Sequence, residues 1–210
     1  MSKKTILFLH GLGQSAQSWE KTATALSVDY KTKLIELSDF CDNKEWTYQK
    51  LYSGFETYCA NNKDEPLNLC GISLGAILAL NYAIRHPEKM ETLVLIAPQY
   101  KMPAFLLGFQ NLLFRYMPEN HFQEIGFSKD EILSLCASMK SLDFSNELPK
   151  ICCPTLIICG KKDWANKRAA RIVADKITWS KLYYIDNANH EINKDVPDVL
   201  AKALMKFYAV

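Results

Sequence analysis

The sequence lacks several features, and each absence excludes a class of protein. No stretch approaches the ~20 consecutive apolar residues of a membrane span. The apolar run that starts at Ile6 ends at His10, well short of the about 7–15 residues of a signal-peptide core. Lys and Arg number 25 against 23 Asp and Glu, so no excess of positive charge favours nucleic acid. We therefore expect neither a membrane span nor a nucleic-acid partner.

The chain has seven cysteines, and none of their spacings matches a zinc site. An odd count without a signal peptide is typical of reduced thiols in the cytosol. We therefore expect a cytoplasmic protein without a structural metal, in which most of these thiols fill small apolar spaces in the core.

Short apolar runs alternate with longer amphipathic stretches along the chain. The runs are Ile6–His10, Leu34–Leu37, Leu67–Gly71, Thr92–Ala97, Thr155–Gly160 and Lys181–Asp186. The amphipathic stretches are Ser15–Ser27, Thr47–Asn61, Ser73–Arg85, Ala165–Ile177 and Pro197–Tyr208. Continuous apolar runs are typical of strands covered on both faces, and their alternation with helices favours right-handed crossovers. The pattern predicts an α/β fold: a three-layer sandwich whose mostly parallel sheet of six strands has helices on both faces.

One interval, residues 98–154, is longer than a single crossover helix requires. It contains apolar residues at helical spacing, and neither a charge run nor a low-complexity linker sets it apart. We expect an inserted helical cap on a single domain that spans residues 1–210. Phe105, Phe109 and Leu113 could line an apolar substrate pocket or could pack the cap onto the sheet, and both interpretations stay open.

The segment Gly71–Gly75 reads Gly-Ile-Ser-Leu-Gly and joins a predicted buried strand to a predicted helix. This is the G-x-S-x-G pattern of a nucleophile elbow, whose sharp, strained turn projects the serine hydroxyl above the sheet. The glycines let the strand and the helix approach closely. Ser73 is therefore the candidate nucleophile. The alternative is a helix N-cap, but a cap does not need a glycine on each side.

A glycine-rich loop, His10–Gly13, follows the first predicted strand. An acyl-transfer intermediate carries an anionic oxygen that two backbone N–H groups can stabilise by ~3 kcal/mol each. We expect Leu74, next to the nucleophile, and Leu12 to supply them. His10 is expected to hold this loop in place. An ordinary glycine-rich turn is the alternative.

Serine needs a base to accept its proton, and the sequence has only four histidines. His190 follows the last predicted strand, and loops at the carboxyl ends of parallel strands surround the site in open α/β sheets. Asp163 follows the preceding strand and could orient the imidazole, or could merely cap the next helix. Asp186 and Asp143 are weaker candidates for this role. The order Ser73, acid, His190 is typical of one fold.

Taken together, these motifs resemble the α/β-hydrolase fold family, and in particular small serine hydrolases with a helical cap, such as esterases and serine aminopeptidases. The likeness covers nearly the whole chain outside the cap, including Cys70–Pro98 and Ile151–Asp163. Asn189 stands before His190 where the family commonly has glycine, and no proline follows Asp163 at the usual place.

The resemblance implies a serine hydrolase that cleaves a small carboxylic ester or thioester through an acyl-enzyme, without a cofactor. Its partner would be a small acyl substrate. Three alternatives stay open: an aminopeptidase, a hydrolase or lyase that uses the same triad on a carbon–carbon bond, and a catalytically weak binding protein. The sequence leaves the natural substrate and the oligomeric state open.

Overall fold

A computed structural model describes residues 3–41, 46–62, 66–102 and 128–209 of the chain. The strands are β1 (Thr5–Leu9), β2 (Lys31–Ile35), β3 (Leu67–Ile72), β4 (Met90–Ile96), β5 (Thr155–Gly160) and β6 (Ser180–Ile185). The helices are α1 (Glu20–Leu26), α2 (Tyr48–Ala60), α3 (Leu74–Arg85), α4 (Lys129–Ser138), α5 (Trp164–Lys176), α6 (Ile192–Asp195) and α7 (Pro197–Tyr208). Short 3-10 segments lie at Ala16–Trp19, Leu37–Phe40, Pro87–Lys89, Met139–Ser141 and Leu148–Lys150.

The strands form one parallel sheet in the order β2-β1-β3-β4-β5-β6 within the described ranges. Every residue of the inner strands β3 and β5 is buried, as expected where helices cover both faces. The outer strands β2 and β6 instead alternate between exposed and partly buried residues, because each has a neighbour on one side only. The prediction of a six-stranded parallel sheet is confirmed.

Two apolar clusters separate the helices into layers on opposite faces of the sheet. One cluster joins α1 and α7 to the sheet through buried residues such as Leu26 and Leu204. The other joins α2, α3, α4 and α5 to the opposite face through residues such as Phe55, Tyr82 and Leu135. This is the predicted three-layer sandwich. It brings the loops at the carboxyl ends of the strands to one edge, where the candidate site lies.

The predicted helix Ser15–Ser27 is divided into the 3-10 segment Ala16–Trp19 and helix α1. The boundaries of the other predicted elements outside residues 98–154 agree with the structure to within a few residues. The seven cysteines are all free thiols, five of them buried. No described helix is long and apolar enough to cross a membrane, and no cluster of His, Cys, Asp or Glu in the described ranges could hold a metal ion.

The interval expected to form a cap is described in part. Helix α4 packs into the core through Ile132 and Leu135, which are fully buried. The Ser138 hydroxyl at its end accepts a hydrogen bond from the N–H of Tyr48 at 2.8 Å, which fixes α4 beside the start of α2. Residues 103–127, with Phe105, Phe109 and Leu113, lie outside the described residues. The cap subdomain therefore stays a prediction.

Candidate active site

Ser73 forms a strained turn between β3 and α3. Its backbone lies at φ 54° and ψ −114°, a conformation that few residues other than glycine adopt. Its N–H donates to the carbonyl of Ile96, and its own carbonyl accepts from the N–H of Ile77, both at 3.0 Å. The side chain makes no capping hydrogen bond. The turn is thus held from both sides, while the hydroxyl is not used to cap the helix.

The glycines on each side of Ser73 are required by close contacts. A Cβ on Gly71 would lie 2.2 Å from the carbonyl oxygen of Gly75. A Cβ on Gly75 would lie 2.3 Å from the carbonyl oxygen of Leu9 at the end of β1. Because these neighbours are backbone atoms, no side-chain rotation can relieve the overlap. The two glycines therefore let α3 start directly against the ends of β3 and β1.

The loop after β1 lies beside the elbow. A Cβ on Gly11 would come within 3.4 Å of the Cβ of Ser73. The N–H of Gly11 donates to Oε1 of Gln14 at 3.2 Å, whereas the N–H of Leu12 has no acceptor among the described residues. Leu74 is the first residue of α3, so its N–H also lacks a partner within the helix. The amides of Leu12 and Leu74 are thus uncommitted donors on segments that adjoin Ser73.

His10 ties this loop to the end of β2. Its ring is almost fully buried, with Nδ1 2.9 Å from the carbonyl oxygen of Gly11 and Nε2 2.8 Å from Oε1 of Glu36. Glu36 also accepts a hydrogen bond from the N–H of Ala16 at 2.9 Å. Burial alone would raise the pKa of Glu36, but these hydrogen bonds and the neighbouring imidazole hold it below its ordinary value. The contacts of His10 are those of a residue that positions a loop.

His190 and Asp163 meet at the carboxyl ends of β5 and β6. Nδ1 of the imidazole lies 2.9 Å from Oδ2 of the carboxylate. Asp163 is buried, whereas 42% of the His190 side chain is exposed. Burial would raise the pKa of Asp163, but hydrogen bonds from His190 and Asn166 hold it below its ordinary value. An ionised carboxylate therefore lies directly behind the partly exposed imidazole.

Asp163 also caps α5. Its Oδ1 accepts a hydrogen bond from the backbone N–H of Asn166 at 3.3 Å. The two roles weighed from the sequence, helix cap and partner of His190, are thus both present in one side chain. The loops that carry the two residues are joined directly, because the N–H of Lys162 donates to the carbonyl of Ala188 at 2.9 Å.

The weaker candidates lie in other surroundings. Asp186 is exposed and pairs with Lys161 at 2.6 Å. Asp143 pairs with Lys101 at 2.7 Å. Neither of these carboxylates contacts His190.

The structure places some of the expected site residues in contact with each other, but not all of them. Within the described residues, the hydroxyl of Ser73 makes no hydrogen bond, so no direct bond joins it to His190. Asp163 and His190 are in contact, and Ser73 adjoins the loop that carries Leu12. The expected pocket residues 105, 109 and 113 lie outside the described residues.

Sequence reasoning missed a buried amide that links two loops of the site. Gln14 donates to Oε1 of Glu191 at 2.8 Å, next to His190, and accepts from Nδ2 of Asn193 at 3.1 Å. Because it also holds the N–H of Gly11, this side chain joins the loop after β1 to the loop after β6. No motif or spacing in the sequence singles out Gln14 or Asn193, since their partners are about 180 residues away in the chain.

A second pair of amides, Asn166 and Gln99, lies behind Asp163. Nδ2 of Asn166 lies 2.8 and 2.9 Å from the two oxygens of Asp163, and its Oδ1 accepts from Nε2 of Gln99 at 2.6 Å. The sequence contained one weak signal for this pair: Asn166 is the third residue after the predicted cap Asp163, on the first turn of the helix.

Comparison with known proteins finds a family model and a curated esterase that each match part of the chain. A family model described as "alpha/beta hydrolase fold" matches residues 4–131. The pimeloyl-[acyl-carrier protein] methyl ester esterase of Wigglesworthia glossinidia brevipalpis is 28% identical over 95 residues, which are 44% of this chain and 35% of the esterase. This match thus spans about a third of that relative's length.

Solved structures match over almost the whole chain. A hydrolase from Pseudomonas aeruginosa PA01 is similar with a TM-score of 0.84 at 16% identity, over 99% of this chain and 91% of the other. The enol-lactonase from Burkholderia xenovorans LB400 is similar with a TM-score of 0.83 at 18% identity, over 100% and 93%. At such low identity these similarities establish the fold.

Proposed function

The chain belongs to the alpha/beta hydrolase family, and we propose that it is a serine hydrolase that cleaves a small carboxylic ester or thioester. The observation that carries this proposal is the contact of 2.9 Å between His190 and the buried, ionised Asp163, at the same edge of the sheet as the strained Ser73. A strained serine alone, or a histidine–aspartate pair alone, has many structural roles. Their occurrence at the carboxyl ends of β3, β5 and β6, at one edge of a single parallel sheet, favours nucleophilic catalysis.

In the proposed acylation, Oγ of Ser73 attacks the carbonyl carbon of the substrate and gives its proton to Nε2 of His190. Asp163 holds Nδ1 and stabilises the imidazolium that forms. The N–H groups of Leu12 and Leu74 stabilise the negative charge on the former carbonyl oxygen. The bond to the leaving group then breaks, and Nε2 returns the proton to the departing oxygen or sulfur.

Deacylation repeats these steps with water. His190 removes a proton from water, the resulting hydroxide attacks the acyl-enzyme, and the bond between the acyl group and Ser73 breaks. The proton on Nε2 then returns to Oγ of Ser73, which regenerates the free enzyme and releases a carboxylic acid. Every proton is carried by His190, so the proposed reaction needs no further co-reactant.

An ester or thioester is the proposed substrate because its leaving group needs less protonation assistance than the amine of an amide. The names of two similar proteins, a methyl ester esterase and an enol-lactonase, also describe ester bonds. In this proposal the expected cap, residues 98–154, contacts the acyl group through Phe105, Phe109 and Leu113, and the protein acts in the cytoplasm.

The test combines turnover with covalent labelling. We expect the protein to hydrolyse p-nitrophenyl acetate and to be labelled by a fluorophosphonate at Ser73, as mass spectrometry of peptides would show. Ser73→Ala should abolish labelling and lower kcat by about 10⁶-fold. Ser180→Ala is the matched control, because Ser180 lies at the start of β6, at the opposite edge of the sheet, where its hydroxyl donates to the carbonyl of Ala174. This variant should retain both labelling and turnover. Turnover that survives in Ser73→Ala would refute the assigned nucleophile.

A further inference from the structure

Two buried amides form a chain of hydrogen bonds behind the pair of His190 and Asp163. Gln99 lies in the loop after β4 and Asn166 on the first turn of α5, and both are more than nine-tenths buried. Gln99 donates to Asn166 at 2.6 Å, and Asn166 donates to Asp163 at 2.8 and 2.9 Å. These hydrogen bonds thus connect the loop after β4 to the carboxylate of Asp163, which follows β5.

The contacts among Asn166, Asp163 and His190 indicate which nitrogen of the imidazole carries a hydrogen. Nδ2 of Asn166 lies close to three atoms: the two oxygens of Asp163 and, at 3.1 Å, Nδ1 of His190. An amide nitrogen has two hydrogens, and the charged carboxylate oxygens are the stronger acceptors. If Nδ1 were bare, its lone pair would face a carboxylate oxygen at 2.9 Å. Nδ1 therefore carries a hydrogen, and in the neutral ring Nε2 is the bare nitrogen.

Gln99 fixes the orientation of the Asn166 amide. If this amide were reversed, its oxygen would face the ionised carboxylate, and its NH₂ group would face the NH₂ group of Gln99. Because both side chains are buried, water is not at hand to replace these bonds, and an unsatisfied buried amide is costly. The arrangement with NH₂ toward Asp163 is the one in which the bonds from Gln99 to Asn166 and from Asn166 to Asp163 both form.

We propose that Asn166, oriented by Gln99, is a positioning residue that holds Asp163 and thereby keeps Nε2 of His190 bare and aimed outward. This proposal rests on the proposed function, in which Nε2 receives the proton of Ser73. Asn166 does not touch the substrate in this role. It acts by limiting the rotation of the carboxylate and by sharing its negative charge.

Removal of the Asn166 side-chain donors has a predictable electrostatic effect. The carboxylate would direct more of its negative charge to the imidazole ring. Two other ionisable side chains lie near His190 and Asp163. Burial raises the pKa of Cys159, which contacts the backbone of Asp163, to about 12, so the thiol stays neutral. Glu191 is engaged by Gln14 and Lys194.

The experiment compares Asn166→Leu with Asn81→Leu. Asn81 is equally buried and donates to the hydroxyl of Tyr48, outside the site, so it serves as the matched control. With p-nitrophenyl acetate, Asn166→Leu should lower kcat about tenfold, equivalent to about 1.4 kcal/mol, with little change in KM. The acidic limb of its pH profile for kcat/KM should move to higher pH. Gln99→Met should act in the same direction but less strongly, and it carries the test if Asn166→Leu does not fold.

A readout without turnover separates this proposal from the proposed function. The Nδ1 proton of His190 should give a far-downfield proton NMR signal that disappears in His190→Ala and that weakens in Asn166→Leu through faster exchange. If the wild-type protein shows no hydrolysis, the proposed function fails while the NMR comparison still tests Asn166. An unchanged signal and pH profile in Asn166→Leu, with only a lower Tm, would show a purely structural role and overturn the proposal.

Discussion

Replacement of Gly75 by alanine would test how tightly the elbow is built. The new Cβ would lie 2.3 Å from the carbonyl oxygen of Leu9, 2.6 Å from its carbonyl carbon and 2.7 Å from the carbonyl oxygen of His10. All three are backbone atoms at the point where β1 leads into its loop. The helix and this loop must therefore separate, and both carry amides that we assign to the oxyanion hole.

The size of the effect follows from these distances. Real Cβ contacts essentially never fall below 3.0 Å, so the helix must move by at least about 0.7 Å from Leu9. Overpacking of this kind costs about 1–3 kcal/mol, which lowers Tm by roughly 2 to 12 °C in a chain of this length. A misplacement of about 1 Å at a reacting centre can cost about 10²-fold in rate. We therefore expect kcat/KM to fall between about tenfold and a hundredfold.

The assay pairs thermal unfolding with turnover of p-nitrophenyl acetate well below the Tm of each variant. Gly54→Ala is the matched control, because its Cβ would lie 2.5 Å from the carbonyl oxygen of Phe40, between α2 and a 3-10 segment outside the site. Both variants should lose stability, but only Gly75→Ala should lose kcat/KM as a folded protein. Equal losses of activity in both, or wild-type values in Gly75→Ala, would refute the reasoning.

Two further predictions concern the carboxylates. Asp163→Asn retains an N-cap for α5 but removes the charge behind His190, so kcat should fall by about 10⁴-fold while circular dichroism stays near wild type. Asp186→Asn is the control, and comparable losses of kcat in both variants would contradict the assignment. Glu36→Gln should destabilise the protein by about 1–2 kcal/mol at pH 7. Because the pKa of Glu36 is lowered on folding, this difference should be complete above pH ~4.3 and should disappear as the pH falls below it, as urea unfolding at several pH values would show. A difference that grows toward low pH would contradict the prediction.

The fold was predictable from the sequence because its signals are local. Buried parallel strands give continuous apolar runs such as Thr155–Gly160, and the predicted bounds of this strand agree with β5. The outer strand β2 was harder to delimit, since Lys31 and Lys33 lie on its exposed side and interrupt the apolar pattern. Half-covered strands carry a weaker apolar signal than strands covered on both faces.

The backbone conformation of the loop that carries His190 could not be read from its composition. The family commonly has glycine before the histidine, where this chain has Asn189. The structure instead places the positive φ of this loop, 58°, at Asn187, two residues earlier. Asparagine tolerates this conformation at either position, so the composition of the loop could not decide between them.

The surroundings of Asp163 show why the reacting residues could be predicted from the sequence, whereas the amide that holds Asp163 could not. A buried carboxylate stays ionised only if donors surround it, and here these are the imidazole of His190 and the amide of Asn166. A nucleophile or an acid needs one residue type at a defined point of the chain, which leaves a motif. An amide that donates to a carboxylate needs only to approach it in a suitable direction, and a residue on any neighbouring loop can do so. The same carboxylate would accept equally well from an amide on another segment, so this choice becomes visible only when the strands are assembled.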